Sequence, residues 1–259
     1  MCIDRLYILG RRMFPVIFFA IVFSVTVCAA NSPIKKSIEA KEILEWQKIG
    51  ESVDGRPIEA VTIGRGEKIT LILGAFHGDE PVSADITYKL AEYLASNYND
   101  DQNIKVVVVP VVNPDGLAKK TRTNSNGVDI NRNFPTKNWS SKYRKKRYFP
   151  GSSPGSEPET LTVIDLIEKF HPSQIISIHQ PFKVVNFDGP AEQLANKMAS
   201  LNSYPVKSDI GYATPGSFGT YTGKERGIPT ITLELGEKTL DESWGVNKSA
   251  LIEAIKYLK

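Results

Sequence analysis

The 259-residue sequence predicts an α/β fold, a mixed, largely parallel β-sheet sandwiched by helices. Two observations carry that prediction. Short apolar runs at residues 69–75, 104–112, 174–178 and 230–235 alternate with helix-length segments, the order that builds parallel strands joined by crossover helices. The second of these runs, IKVVVVPVV, is apolar at nearly every position, as in a strand covered on both faces. No internal repeat stands out, so residues 31–259 read as one domain.

The chain opens on a leader. Residues 13–30 carry no charge, Arg5, Arg11 and Arg12 precede them, and Cys28-Ala29-Ala30 closes the stretch on small residues. A basic start, an apolar centre and a small-residue end read as a secretory signal peptide over residues 1–30, cleaved near Ala30. The alternative is an uncleaved anchor, since 18 uncharged residues approach a membrane span; only then is a membrane a partner. A periplasmic or secreted protein is expected. Both cysteines, Cys2 and Cys28, fall in the leader, so residues 31–259 hold no disulfide and no thiolate metal site. The leader has three basic residues and one acidic, and without it the formal charge falls from +3 to +1. Bulk charge gives no reason to expect a nucleic-acid partner.

The elements follow in order. Residues 37–48 suit a short amphipathic helix, and Asp54-Gly55-Arg56-Pro57 is a turn between two strand-like runs, an edge hairpin. The strand at 69–75 leads through a polar loop to a helix over 81–96, with Pro81 in the first turn, where its missing donor costs nothing. The strand at 104–112 is followed by a long irregular stretch, 113–156, and structureless loops of that length are usually functional. A helix over 157–170, a strand over 174–178, a helix over 190–202, a strand over 230–235 and a closing helix over 241–258 complete the pattern. Within the long loop, residues 137–147 (KNWSSKYRKKR) hold six basic residues and no acidic one. That is a solvated loop, or a patch that attracts anionic peptides or polymers.

In sheets of this kind reactive groups collect at the carboxyl ends of strands. Three predicted strands end on a polar residue of one chemical set: His77, His179 and Glu234. His77 and Glu80 stand three apart and share one face of a helical turn. Two imidazoles and a carboxylate, with one position left for water, are the donor set of a catalytic zinc. Alone, the His-x-x-Glu spacing is an ordinary surface turn more often than a metal site; the third donor at a strand end changes that balance. The remaining histidine, His171, follows a helix and reads as its cap. Glu234 is either a salt-bridged strand terminus or a general base beside the metal. Arg132, in Asn131-Arg132-Asn133-Phe134, suits a bidentate grip on a carboxylate, and Arg122 suits an oxyanion.

With these residues in view, the chain resembles the zinc carboxypeptidase family, and within it the murein peptide amidases that cut γ-D-glutamyl-diaminopimelate bonds. The resemblance rests on His77-Gly78-Asp79-Glu80, Val112-Asn113-Pro114-Asp115-Gly116, residues 121–135 (TRTNSNGVDINRNFP), Pro154-Gly155-Ser156-Glu157-Pro158-Glu159-Thr160, residues 210–219 (IGYATPGSFG) and Ile231-Thr232-Leu233-Glu234. These span about residues 50–240 in one order. The resemblance implies a zinc-carboxypeptidase-like fold and one Zn2+ held by His77, Glu80 and His179. It implies Glu234 as the base and Asp129 as the carboxylate that orients the first histidine. Asn131 and Arg132 stand where the family binds a substrate's terminal carboxylate, Tyr212 near its mobile tyrosine, and either Lys119 or Arg122 serves the oxyanion. The expected function is zinc-dependent hydrolysis of an amide bond in murein peptides. The alternatives are a general carboxypeptidase on L-peptides and a non-catalytic cell-wall binding module, which would tend to lack the base or a ligand.

Overall fold

The structure is a computed structural model that describes residues 44–97, 103–236 and 238–257. The proposed leader lies outside the described residues, as do residues 37–43 of the expected first helix. The end of that expected helix is a correction: Gln47 and Lys48 open strand β1 (Gln47–Glu51). β1 is an edge strand with no fully buried residue, so it lacks the apolar alternation that marks a strand in sequence. It pairs antiparallel with β2 (Pro57–Ile63), and the turn expected at Asp54–Pro57 joins them.

The next elements are β3 (Lys68–Leu73), α1 (Pro81–Asn97), β4 (Ile104–Val109) and α2 (Pro114–Lys119). After the long loop come α3 (Pro158–Phe170), β5 (Gln174–His179), β6 (Val184–Asp188) and α4 (Glu192–Asn202). The chain closes with β7 (Val206–Lys207), a π-helical turn (Thr220–Lys224), β8 (Thr230–Glu234) and α5 (Leu240–Lys256). The strands form one eight-stranded sheet in the order β1-β2-β4-β3-β5-β8-β6-β7. The four central strands, β4, β3, β5 and β8, run parallel, and the flanking pairs β2–β4 and β6–β8 are antiparallel.

Both faces of the sheet are covered, which is why the central strands read as continuous apolar runs. Ile72, Val106, Val108, Ile176 and Ile178 face one core with Ile86 and Leu90 of α1, Met198 of α4 and Leu251 of α5. Leu71, Leu73, Val107, Val109 and Ile175 face the other, with Val163 and Ile167 of α3 and the aromatic group Phe76, Phe134, Phe218 and Tyr221. His171 ends α3 in the left-handed conformation, its amide donating to the Ile167 carbonyl at 2.9 Å. It caps that helix, as its position in the sequence implies.

The stretch 113–156 is irregular but not loose. Its asparagines supply the hydrogen bonds that regular structure would otherwise make. Asn113 caps α2 by accepting from the Gly116 amide, at 2.8 Å. Asn133 donates to the carbonyls of Pro150 and Ser153 and accepts from the Glu157 amide. Asp115, fully buried at the start of α2, accepts from Ser52 Oγ (2.7 Å), the Asp54 amide (2.9 Å) and Arg56 Nη1 (2.5 Å), tying the loop to the β1–β2 turn.

Candidate active site

Each residue of the site is placed by the end of an element. β3 stops at Leu73, and Ala75 follows with φ 44°, a left-handed backbone that turns the chain toward α1. The turn is bonded to the loop after β4, through the Val112 amide to Gly74 O (3.1 Å) and the Asn113 amide to Ala75 O (3.0 Å). Gly78 is required there, because a Cβ would stand 1.8 Å from the Gly116 carbonyl carbon. His77 and Glu80 are thereby held at the head of the sheet. His179 is the last residue of β5 and Glu234 the last of β8, and the two are partners in the parallel ladder.

The donors converge. His77 Nδ1 lies 2.7 Å from Glu80 Oε1 and 3.2 Å from His179 Nδ1, and His179 Nδ1 lies 2.9 Å from Glu80 Oε2. All three residues are buried. The second nitrogen of His77 meets Asp129 Oδ1 at 3.1 Å, the carboxylate support that fixes a ligating imidazole. Two nitrogens and one carboxylate suit zinc, and the set is short of the four donors of a structural site. Beside them Glu234 is buried, with Oε2 lacking a hydrogen-bond partner among the described residues. An orphaned carboxylate oxygen next to such a cluster is what an active site leaves for water or substrate.

The electrostatics separate the carboxylates. Burial works against the charge of Glu80, yet His77 and His179 hold its carboxyl well below the usual range. Asp129 is driven lower in the same way, against its own burial, by Arg122 and His77. Glu234 goes the other way: burial pushes its carboxyl up and Glu80 adds to the rise, while His179 and His77 oppose it. One carboxylate stays ionised as a ligand and the other moves toward the range of a proton carrier.

Arg122 donates from Nε to Asp129 Oδ2 at 2.9 Å, and its Nη1 lies 3.2 Å from His77 Nδ1. Lys119, the other candidate for the oxyanion, points away: it is exposed and donates to Asp54 and Ser125. The long loop brings Asn131 and Arg132 to the same cavity. Asn131 Oδ1 accepts from the Phe218 amide at 2.9 Å, which leaves Nδ2 as its donor group, and Arg132 is buried. Tyr212, on the loop after β7, is 46% exposed at the mouth of the cavity.

The cavity is about 450 Å3 and holds residues that the sequence did not single out. Asn186 and Asp188 of β6 line it with Lys224 of the π-helical turn. β6 is five residues between Pro181 and Gly189-Pro190; only the alternation of Val-Val-Asn-Phe-Asp hints at a strand. Asp188 and Lys224 form an ion pair of 3.2 Å. Burial raises the carboxyl of Asp188 and Lys224 opposes the rise. Gly219 makes room for this carboxylate, since a Cβ there would stand 2.0 Å from Asp188 Oδ2, and Gly223 makes room for the backbone of Asp188, 2.5 Å from where its Cβ would stand.

Residues 34–193 match the family described as zinc carboxypeptidase. The chain belongs to the zinc carboxypeptidase family. It is 33% identical to murein peptide amidase A of Vibrio campbellii, over 87% of this chain and 93% of that one. Against murein peptide amidase A of Escherichia coli K12 the identity is 33%, over 67% and 73% of the two chains. The crystal structure of a murein-tripeptide amidase from Escherichia coli O157 superposes with a TM-score of 0.69 at 29% identity, over 83% of this chain and 92% of that one. Bovine thrombin-activatable fibrinolysis inhibitor shares the fold, at 22% identity and a TM-score of 0.71, over 86% and 91%. As a zinc carboxypeptidase family member the chain is a zinc metallopeptidase, a hydrolase of amide bonds.

Proposed function

We propose that the enzyme cuts the γ-D-glutamyl–diaminopimelate bond of murein peptides. The observation that carries the substrate reading is the ion pair Asp188–Lys224 in the wall of the cavity that also holds the zinc donors. The far end of a diaminopimelyl residue carries an ammonium and a carboxylate, and this wall offers one partner to each. An apolar L-side chain would instead strip water from that ion pair and return no hydrogen bond to either charge. The similarity to two murein peptide amidases supports the same substrate.

His77, Glu80 and His179 would hold the metal. When bound, zinc supplies Lewis acidity toward a carbonyl oxygen and lowers the pKa of a water to about 7. The remaining roles belong to the chain. Glu234 accepts the proton of the attacking water at its open Oε2 and returns it to the departing amine, the work of a carboxylate with a raised pKa. Arg122, kept charged and oriented by Asp129, faces the oxygen on which negative charge develops. Arg132 and Asn131 bind the carboxylate of the leaving residue, and Tyr212 closes over it. The leader supports export to the periplasm or the medium, with residues 31–259 as the catalytic domain.

Mass spectrometry of L-Ala-γ-D-Glu-diaminopimelate after incubation tests the reading. Free diaminopimelate and L-Ala-D-Glu are expected, with loss of both under a chelator and return with zinc. Release of C-terminal residues from ordinary L-peptides, with the tripeptide intact, would refute it. Asp188→Asn should raise KM for the tripeptide at least tenfold while kcat changes less.

A further inference from the structure

The basic run at residues 137–147 is not used by the cleft around the zinc donors, apart from Asn138. Much of it faces a second cavity of about 710 Å3. Lys142, Tyr143, Arg144 and Lys145 line it together with Gly211, Tyr212 and Ala213. Arg132 and the Gly211-Tyr212-Ala213 segment line both cavities. The two spaces therefore adjoin at the arginine assigned above to the substrate carboxylate.

The cations of the basic run differ in how they are held. Arg147 is bound to Asp79 at 3.1 Å and lies over the Tyr148 ring. Lys142, Arg144 and Lys145 are exposed, and no ion pair among the described residues engages them. Three like charges gathered around one space without a counter-charge attract an anion. Tyr143, fixed edge-on against Phe149 at 5.3 Å, and Pro150 and Pro215 give the same space apolar walls. A short peptide end with a terminal carboxylate matches both features.

We propose that this second cavity is a subsite for leaving groups that continue past diaminopimelate, with Lys142, Arg144 and Lys145 holding the terminal carboxylate of the extension. The inference rests on the murein-peptide reading. Arg132 then meets the diaminopimelyl carbonyl in place of a free carboxylate. The chemistry is unchanged: water adds across the same amide bond, leaving a carboxylate on D-glutamate and a free amine on the extended leaving group.

The test compares the tripeptide with the same peptide extended by one D-alanine on its diaminopimelyl carboxylate, using the metal-loaded enzyme. Wild type is expected to cut both at the γ-D-glutamyl bond, with kcat/KM values within tenfold of each other. The triple variant Lys142→Ser, Arg144→Ser, Lys145→Ser should lower kcat/KM for the extended peptide at least tenfold and for the tripeptide less than twofold. Amidation of the extended peptide's terminus should cost wild type as much and cost the variant nothing. An extended peptide left intact by wild type, or cut equally by wild type and variant, overturns the subsite. If the tripeptide too is left intact, it is the murein-peptide reading that fails.

Discussion

At the residue scale, the site works by giving similar side chains different surroundings. Glu80 and Glu234 are both buried carboxylates near two imidazoles, yet one is held low and the other pushed up. Glu234→Gln should therefore keep its zinc, measured by metal analysis, and lose kcat by about 10^2–10^4-fold, the span of general acid–base catalysis. His77→Ala should lose the zinc itself; unchanged metal content would remove His77 from the donor set. His77, His179 and Glu234 were legible in the sequence because an apolar run stops abruptly on each of them, and Glu80 by its three-residue spacing from His77; the structure brings the four together. Asp188 and Lys224 were not. They stand 36 positions apart on a short strand and a π-helical turn, and no local pattern announces that they meet.

At the scale of elements, two contacts place the donors. Gly78 lies against Gly116 so closely that Gly78→Ala must part the β3–α1 turn from α2. A loss of about 1–3 kcal/mol is expected, read as a lower melting temperature together with weaker zinc retention, because His77 moves with the turn. The second contact is Asp115, whose carboxyl is held below its usual value, against burial, by the Asp54 amide, Ser52 and Arg56. A carboxyl lowered in the folded state adds stability that is present above its unfolded pKa of about 3.9 and is lost as pH falls through its folded value. Asp115→Asn should thus cost about 1–3 kcal/mol at pH 7, and its deficit in urea midpoint should narrow below about pH 4. A deficit that stayed constant down to pH 2 would count against this linkage. Neither contact could be read from sequence. The glycine and the aspartate look like parts of a turn, and what they touch is contributed by residues about 40 and 60 positions away.

At the scale of the whole molecule, zinc binds the folded chain and not the unfolded one, so it contributes to stability by mass action. A free concentration of 100 times Kd adds about 2.7 kcal/mol, and a chelator should lower the melting temperature as well as stop turnover. A melting curve indifferent to chelation would mean that the donors are not assembled in the fold as described. The architecture itself was legible, because apolar runs covered on both faces have few alternatives to central parallel strands. One edge was legible through its turn, since Asp54–Pro57 announces the β1–β2 hairpin; the other was not, because β6 and β7 are short and their pairing is set by neighbours rather than by their own pattern. His179 and Glu234 are ladder partners on β5 and β8, so the backbones that carry a metal donor and the proposed base stand one strand spacing apart, about 4.8 Å, ruled by backbone hydrogen bonds. Side chains elsewhere cannot stretch that ruler. The loops at 137–150 and 208–217 lie outside it, and they are interchangeable parts: grafting others in their place would alter which bond is presented while the cutting edge stays as it is.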